Sequence, residues 1–342
     1  KNNQHAEAPH LYKINGLYYL LIAEGGTAHH HAVTIARSES ITGPYTINPN
    51  SPILTHRNLG LNHPIVGTGH ADLVETQNGE WWMVLLAMRP YEGYYNNLGR
   101  ETFLVPVTWE DGWPIISPGI GRVEFEHSLP DLAQHSWPTL PHCDQFEAET
   151  LAFQWNLLRT PREDFYSLNE RPGFLRLYLR PQKLSERANP SYVGRRQQHI
   201  NFDVRAVMEF APHGTNECAG IVLLQNNGFH FRFVVTQNEG GALVARLIKR
   251  DHDEESLLAE QTVSGARFYF RVEALGQAYS FYIATEAEQW RPVAEAVDGR
   301  ILSTPVAGGF VGAYIGMYAS SNGTPSQNRA DFDWFEYIAN SK

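Results

Sequence analysis

The sequence predicts an all-β protein in two parts, a portion of a β-propeller followed by a β-sandwich. Three observations predict it. Residues 9–145 are rich in Gly, Pro, Tyr and Trp and carry short apolar runs bounded by turn residues, with nothing at helical spacing. Within them one hairpin unit occurs twice. After Asp144 the texture changes to strands spaced roughly 10–20 residues apart, as in a sandwich.

Leu11 to Leu21, centred on Asn15-Gly16, and Leu73 to Val84, centred on Asn78-Gly79, both read as strand, turn, strand, with aromatic residues entering the second strand. Asn-Gly supplies the positive φ angles of a tight turn. Each hairpin is followed by a second strand pair, His31 to Ser38 into Gly43-Pro44-Tyr45, and Arg100 to Val107 into Asp111-Gly112-Trp113-Pro114. Four antiparallel strands repeated at about 60 residues make a propeller blade. Two blades cannot close a ring of about four to eight and would leave open apolar edges. An N-terminal portion that completes the ring is therefore expected.

The boundary is placed near Pro138 to Asp144, with the propeller part at 1–140 and the sandwich at 144–340. Sandwich strands are expected at Phe174 to Leu179, Val204 to Phe210, Gly220 to Leu224, Phe229 to Val235, Leu243 to Ile248 and Phe268 to Val272. Phe229-His230-Phe231-Arg232-Phe233 alternates with period two, and so does the terminal run Ala330 to Tyr337, so both should lie on half-buried sheets.

A chain of 342 residues with 42% hydrophobic and 19% charged residues builds two cores and is not disordered. The most apolar stretches, such as Trp81 to Ala87, are strand-sized, which excludes a transmembrane helix. With 27 basic against 37 acidic side chains, the net charge of −10 argues against nucleic acid as partner and favours neutral ligands. Cys143 and Cys218 have no CxxC partner and read as buried free thiols. The chain opens Lys1-Asn2-Asn3-Gln4 with no apolar leader, which with the lack of a disulfide pattern leans cytoplasmic, secretion staying open because a missing N-terminus would hide a signal peptide. A homo-oligomer is equally open. No phosphate loop, GxSxG elbow or HExxH motif occurs.

Among candidate residues, Glu7 stands just before a blade's first strand, where side chains face the propeller axis. Poor solvation there would favour the protonated carboxyl that donates a proton, whereas a Glu elsewhere near a chain end is ordinary solvated surface. His70, in Gly67-Thr68-Gly69-His70-Ala71-Asp72, is assigned to the matching position of the next blade, either as a metal-facing imidazole or as a structural residue. Arg100 follows the loop Glu92 to Gly99 and could clamp a carboxylate or sugar hydroxyl, with a surface salt bridge as the plain alternative. The tract His29-His30-His31 can place at most two rings on one face of a strand. Arg195-Arg196 and Lys249-Arg250 read as solvated charges, and Asp251 to Glu255 as a turn.

Glu7 to Lys13, Ala23-Glu24-Gly25-Gly26-Thr27, Thr34 to Ser38, Gly69-His70-Ala71-Asp72 and Leu98 to Thr102 together closely resemble glycoside hydrolase family 43. The resemblance continues through Asp144-Gln145-Phe146, Arg171 to Leu177 and Gly312 to Met317 to Asp331-Phe332-Asp333, and so covers essentially the whole chain. It is closest to two-domain β-xylosidases and α-L-arabinofuranosidases. It implies a five-bladed propeller joined to a concanavalin-like β-sandwich, releasing xylose or arabinose from xylan-derived oligosaccharides with inversion. It implies Glu7 as general acid, Arg100 and Thr27 beside the sugar, Tyr314 as a sandwich aromatic reaching over the pocket (Phe in several such enzymes), and His70 facing Ca2+ or another ion held largely by water. The family's general base and second acid are aspartates of N-terminal blades that nothing here matches. Because inversion needs two carboxyl groups about 6.5–9.5 Å apart, the chain alone is expected to be inactive and to need an N-terminal propeller fragment or subunit. The rival reading is a non-catalytic carbohydrate-binding protein in which the sandwich is the working part.

Overall fold

A computed structural model of the chain describes residues 4–340, so the opening Lys1 to Asn3 lie outside the described residues. The chain divides into two compact units between Pro138 and Thr139. The first holds two antiparallel sheets. One is formed by β1 (Glu7–Ile14), β2 (Leu17–Glu24), β3 (Ala32–Ser38) and β4 (Thr46–Ile47) in that order, with β5 (Leu54–Thr55) also on β3. The other is formed by β6 (Val66–Glu75), β7 (Trp81–Met88), β8 (Glu101–Glu110) and β9 (Trp113–Ile116), again in order. These are the two repeats expected.

Their hairpins differ in the turn. Asn15 and Gly16 both have positive φ, 49° and 85°, as the tight turn requires. In the second hairpin only Gly79 does, and the longer loop closes through Gly79 N–H donating to the Thr76 carbonyl at 3.0 Å. The extra residues let an ordinary turn precede one left-handed residue, so Asn78 need not adopt that conformation.

Both first strands carry a β-bulge. Glu7 opposes Ala23 and His10 opposes Leu21, so one more residue runs along β1 than along β2, while Gly69 opposes Leu86 and Asp72 opposes Val84 in the same way. In each bulge one non-glycine residue is left-handed, Ala8 with φ 48° and His70 with φ 49°. Glu7 therefore corresponds to Gly69, and His70 corresponds to Ala8. The expected equivalence of Glu7 with His70 is corrected by one residue, because both strands bulge at the same place and that shared bulge aligns His70 with Ala8.

Tyr19, Leu21, Val33, Ile35, Met83, Leu85 and Val105 form the shared core of the two sheets. Each such side chain contributes about 1.5–3 kcal/mol by leaving water. Polar contacts fix the pairing of the blades: the Tyr12 hydroxyl donates to Asp72 and accepts from Leu73 N–H, and Tyr19 donates to the Gly112 carbonyl at 2.7 Å. Arg37 stacks over the Trp113 ring at 4.2 Å and donates to the same carbonyl.

In the second unit the strands are β10 (Cys143–Asp144), β11 (Asn156–Leu157), β12 (Tyr166–Ser167), β13 (Leu175–Tyr178), β14 (Ser191–Arg196), β15 (Phe202–Glu209), β16 (Cys218–Asn226), β17 (Phe229–Gln237), β18 (Leu243–Asp251), β19 (Glu254–Thr262), β20 (Arg267–Leu275), β21 (Ala278–Ala284), β22 (Arg291–Asp298), β23 (Tyr314–Ser320) and β24 (Arg329–Ala339). One sheet runs β12-β13-β24-β15-β20-β21-β22 with β10 on β24, and the other runs β11-β14-β23-β16-β17-β18-β19. Phe202, Phe231, Phe233, Phe270, Phe281 and Phe332 fill the space between them. No helix among the described residues is long and apolar enough to cross a membrane.

Four sequence expectations change. β17 is buried along nearly its whole length, because it is a central strand and a second cluster around Leu184, Val222 and Tyr318 covers its other face. Burial and the neighbouring Arg232 charge push His230 down to about 3, so it is neutral. Arg195 is 8% exposed, not solvated, and stacks over Tyr337 at 4.6 Å while donating to Gln198. In β24 the buried aromatics are Phe332, then Phe335 and Tyr337, but not Trp334, because a bulge opposite Val207 and Met208 switches the inward face midway. Cys143 is half-buried and Cys218 buried, and both are free.

Asp331 is bound by two arginines of the sandwich: Arg176 reaches its two oxygens at 2.7 and 2.9 Å and Arg171 adds a third bond at 2.9 Å. Burial alone would raise its carboxyl, but the two guanidiniums outweigh it and hold it below the ordinary carboxylate range. Asp331→Asn removes the carboxylate that Arg171 and Arg176 share, leaving them Glu209 and Glu170, and should cost about 3 kcal/mol, read by urea unfolding. Because the folded value lies below the unfolded one, this contribution is complete above about pH 4 and is lost as pH falls through the folded value. Unchanged acid unfolding in the variant would contradict it.

Candidate functional site

The bulge in β1 leaves Glu7 at the strand's outer end, opposite Ala23, where β2 leads into the turn Gly25-Gly26-Thr27. That turn is tied back, since Gly25 N–H donates to the Gln4 carbonyl at 2.7 Å. Arg100 sits immediately before β8, and its Nη1 donates to the Thr27 hydroxyl at 3.3 Å. The start of β8 is anchored by a two-pronged ion pair, Arg89 Nε and Nη2 on the two Glu101 oxygens at 2.9 and 2.7 Å. The preceding loop is exposed at Glu92 and Gly93 but turns inward before Arg100: Asn96, Asn97 and Leu98 are fully buried, and Asn96 donates to the Met88 sulfur. Arg100 thus emerges from a rigid base.

His31 connects these parts, and sequence reasoning missed it as anything but a member of a metal-like tract. It is 1% exposed, and its Nδ1 donates to the Gly67 carbonyl at 3.0 Å. Its Nε2 is buried without a hydrogen-bond partner. Burial lowers its pKa most; the neighbouring charges of His70 and Arg100 lower it further, and the Gly67 bond and Glu7 oppose them without prevailing. His31 is therefore a neutral ring lying within electrostatic reach of Glu7, His70 and Arg100. The signal that could have found it is the pair Gly67 and Gly69, which in one strand marks a close approach by another group. A Cβ on Gly69 would fall 2.4 Å from the His31 ring.

Four of the five sequence candidates, Glu7, Thr27, His70 and Arg100, come together in the first unit around His31. Tyr314 belongs to the second unit, where it opens β23 and packs half-buried on the Leu184 cluster. Glu7 and His70 are exposed. The poor solvation expected of Glu7 is thus not present in these two blades, since no strand of theirs packs over it. The rest of the histidine tract lies in the turn before β3, not on a strand: the His29 and His30 rings pack edge to face at 5.3 Å, His29 also meets Tyr94 at 6.5 Å, and His30 is exposed.

Ca2+ prefers six to eight oxygen ligands. Among the described residues no three His, Cys, Asp or Glu side chains come close enough to hold a metal, and His70 offers only an imidazole nitrogen. Among the described residues these two blades build no all-protein calcium site, and an ion facing His70 would be held largely by water.

The buried His31 ring cannot yield to an added methyl group, so Gly69→Ala should destabilise the chain by about 1–3 kcal/mol through overpacking. A fall in the thermal midpoint of the first unit is the expected readout, and an unchanged midpoint would mean that the ring and strand are loosely packed.

The sequence profile of Glycosyl hydrolases family 43 matches residues 1–114, and that of the beta xylosidase C-terminal concanavalin A-like domain matches residues 143–338. A xylosidase/arabinosidase of Butyrivibrio fibrisolvens is 43% identical over 96% of this chain and 63% of its own length. A non-reducing end alpha-L-arabinofuranosidase of Bacteroides ovatus is 39% identical over 97% of this chain and 62% of its own. The chain therefore spans somewhat less than two thirds of these relatives. Among solved structures, a Bacteroides ovatus xyloglucan PUL GH43B protein superposes with TM-score 0.95 at 38% identity, covering 99% of this chain and 67% of that one. The xylan beta-1,4-xylosidase of Bacillus halodurans does so with TM-score 0.93 at 36% identity, covering 98% of this chain and 66% of that one. With matched profiles over both units and this likeness in backbone and sequence, the chain belongs to glycosyl hydrolase family 43.

Proposed function

We propose that this chain is part of an inverting, exo-acting glycosidase that releases xylose or arabinose from the non-reducing ends of xylan-derived oligosaccharides, with Glu7 as the general acid. The observation that carries the reading is the convergence of Glu7, Thr27, Arg100 and His70 around the buried His31. The names of the relatives, xylosidase/arabinosidase and non-reducing end arabinofuranosidase, support the substrate class.

In this mechanism Glu7 donates a proton to the glycosidic oxygen as the bond to the anomeric carbon breaks. Arg100, oriented by its bond to Thr27, holds a sugar hydroxyl. His70 lines the floor near the axis, and His31 beneath stays neutral. A second carboxylate on the opposite side of the sugar activates the attacking water, and separation of about 6.5–9.5 Å leaves room for it. That carboxylate comes from further blades, so catalysis needs them. An apolar surface on the second blade favours this: Val84 and Leu104 face each other across β7 and β8, with Val74 beside them, and all three are exposed.

In the enzyme completed with those blades, Glu7→Ala should lower kcat/KM for xylo-oligosaccharides by about 10²–10⁴ while sparing aryl glycosides whose leaving groups need no proton. Equal losses on both would remove Glu7 from that role. This chain without the further blades should leave p-nitrophenyl xyloside and arabinofuranoside uncleaved, and turnover by it would show that no second carboxylate from elsewhere is required.

A further inference from the structure

The sandwich carries a strongly basic cavity that the proposed chemistry does not use. It measures about 590 Å³ and lies between the segments 159–163 and 180–189. Arg159, Arg162, Arg180 and Arg187 line it against one acid, Glu163. In a chain of net charge −10, such a local excess of cations is a specific arrangement.

The charges there are largely uncompensated. Arg159 is held by neutral acceptors, the Ala188 carbonyl and the Asn227 side-chain oxygen, which orient the guanidinium and leave its charge. Arg180 reaches Glu163 only at 3.5 Å, and that carboxylate is itself three-quarters exposed, so water screens the pair. The Arg180 side chain is 13% exposed, and its Nη1 is buried without a hydrogen-bond partner. Two acceptors in the same cavity, Gln182 Oε1 and Asn189 Oδ1, are likewise buried and unpaired. Unpaired donors that carry charge call for an oxyanion, and unpaired neutral acceptors beside them call for hydroxyl groups.

We propose that this cavity binds a sugar carboxylate, that is, a uronic acid residue of an acidic oligosaccharide, with the arginines on the carboxylate and Gln182 and Asn189 accepting from ring hydroxyls. The planar guanidinium fork matches a carboxylate two bonds at a time. A free phosphate carries its one or two hydroxyl hydrogens on the same centre as its charge, whereas a uronic acid presents several ring hydroxyls apart from its carboxylate, as acceptors set apart from the arginines require. The inference rests on reading the chain as carbohydrate-active, but it assigns a site distinct from the sugar-cleaving residues.

The test is calorimetric titration of the chain with a xylo-oligosaccharide bearing one glucuronate, the same oligosaccharide without it, and inorganic phosphate. Binding is read directly, so its outcome is separate from any result on hydrolysis through Glu7. The acidic sugar should bind at least about tenfold more tightly than the neutral one, weaken as salt is raised, and lose about tenfold in affinity in Arg187→Gln. Arg187 is exposed, so that variant keeps the fold, and Arg180→Gln should lose more, with its far-ultraviolet circular dichroism checked against the parent. Equal affinity for acidic and neutral sugars, phosphate binding as tight as the acidic sugar, or full affinity in both variants would each overturn the proposal.

Discussion

An extra residue at the same place in the first strand of each blade, Ala8 in β1 and His70 in β6, governs the candidate site. In an antiparallel ladder side chains alternate between faces, and only an inserted residue can change which face a position presents. In β1 that insertion is at Ala8, so Glu7 lies beyond the regular ladder while His10, Tyr12 and Ile14 return to it. In β6 it is at His70, with Asp72 and Leu73 resuming the pairing. Left-handed backbone at a non-glycine residue is unfavourable by roughly 1–2 kcal/mol, and the surrounding sheets maintain it. The same device recurs in β24, where it moves the buried face from Phe332 to Phe335.

Around those bulges the polar interior is arranged by what each buried group can reach. His56 is satisfied at both nitrogens, by the Ile65 carbonyl and by Val123 N–H, and is purely structural. His31, equally buried, is satisfied at one and presses its ring on Gly69, so it supports the site by shape and by staying neutral. A charged imidazole there would repel Arg100 and demand solvation that the core withholds. In the sandwich the heavier charges are neutralised in pairs, as with Asp331 between Arg171 and Arg176, which makes the uncompensated arginines around Arg180 stand apart.

Much of this was legible in the residues. The repeated hairpins around Gly16 and Gly79, the shift in texture after Asp144 and most sandwich strands follow from period-two patterning and turn chemistry, which are local. The motif residues Glu7, Thr27, His70 and Arg100 could be picked out by resemblance, and all four fall in one region. Solvation was not legible: Arg195 and His230 look like surface residues by type, yet a loop cluster around Leu184 and the ring of Tyr337 bury them. Coverage of a strand's second face depends on distant segments, which no pattern within the strand records.

The amino-acid order by itself determined the fold class, the two-blade repeat and the change of architecture near residue 140, because alternation and turn residues are properties of neighbouring residues, while Glu7 as candidate acid came from the family resemblance of its motif. Only the tertiary structure decided the one-residue offset between Glu7 and His70, the role of His31 beneath them, the face switch in β24 and the basic cavity beside Arg180. Each of those depends on register between strands or on loops far apart in the chain meeting in space. Such pairings are set by the packing free energy of the whole sheet, not by the residues at the point of contact.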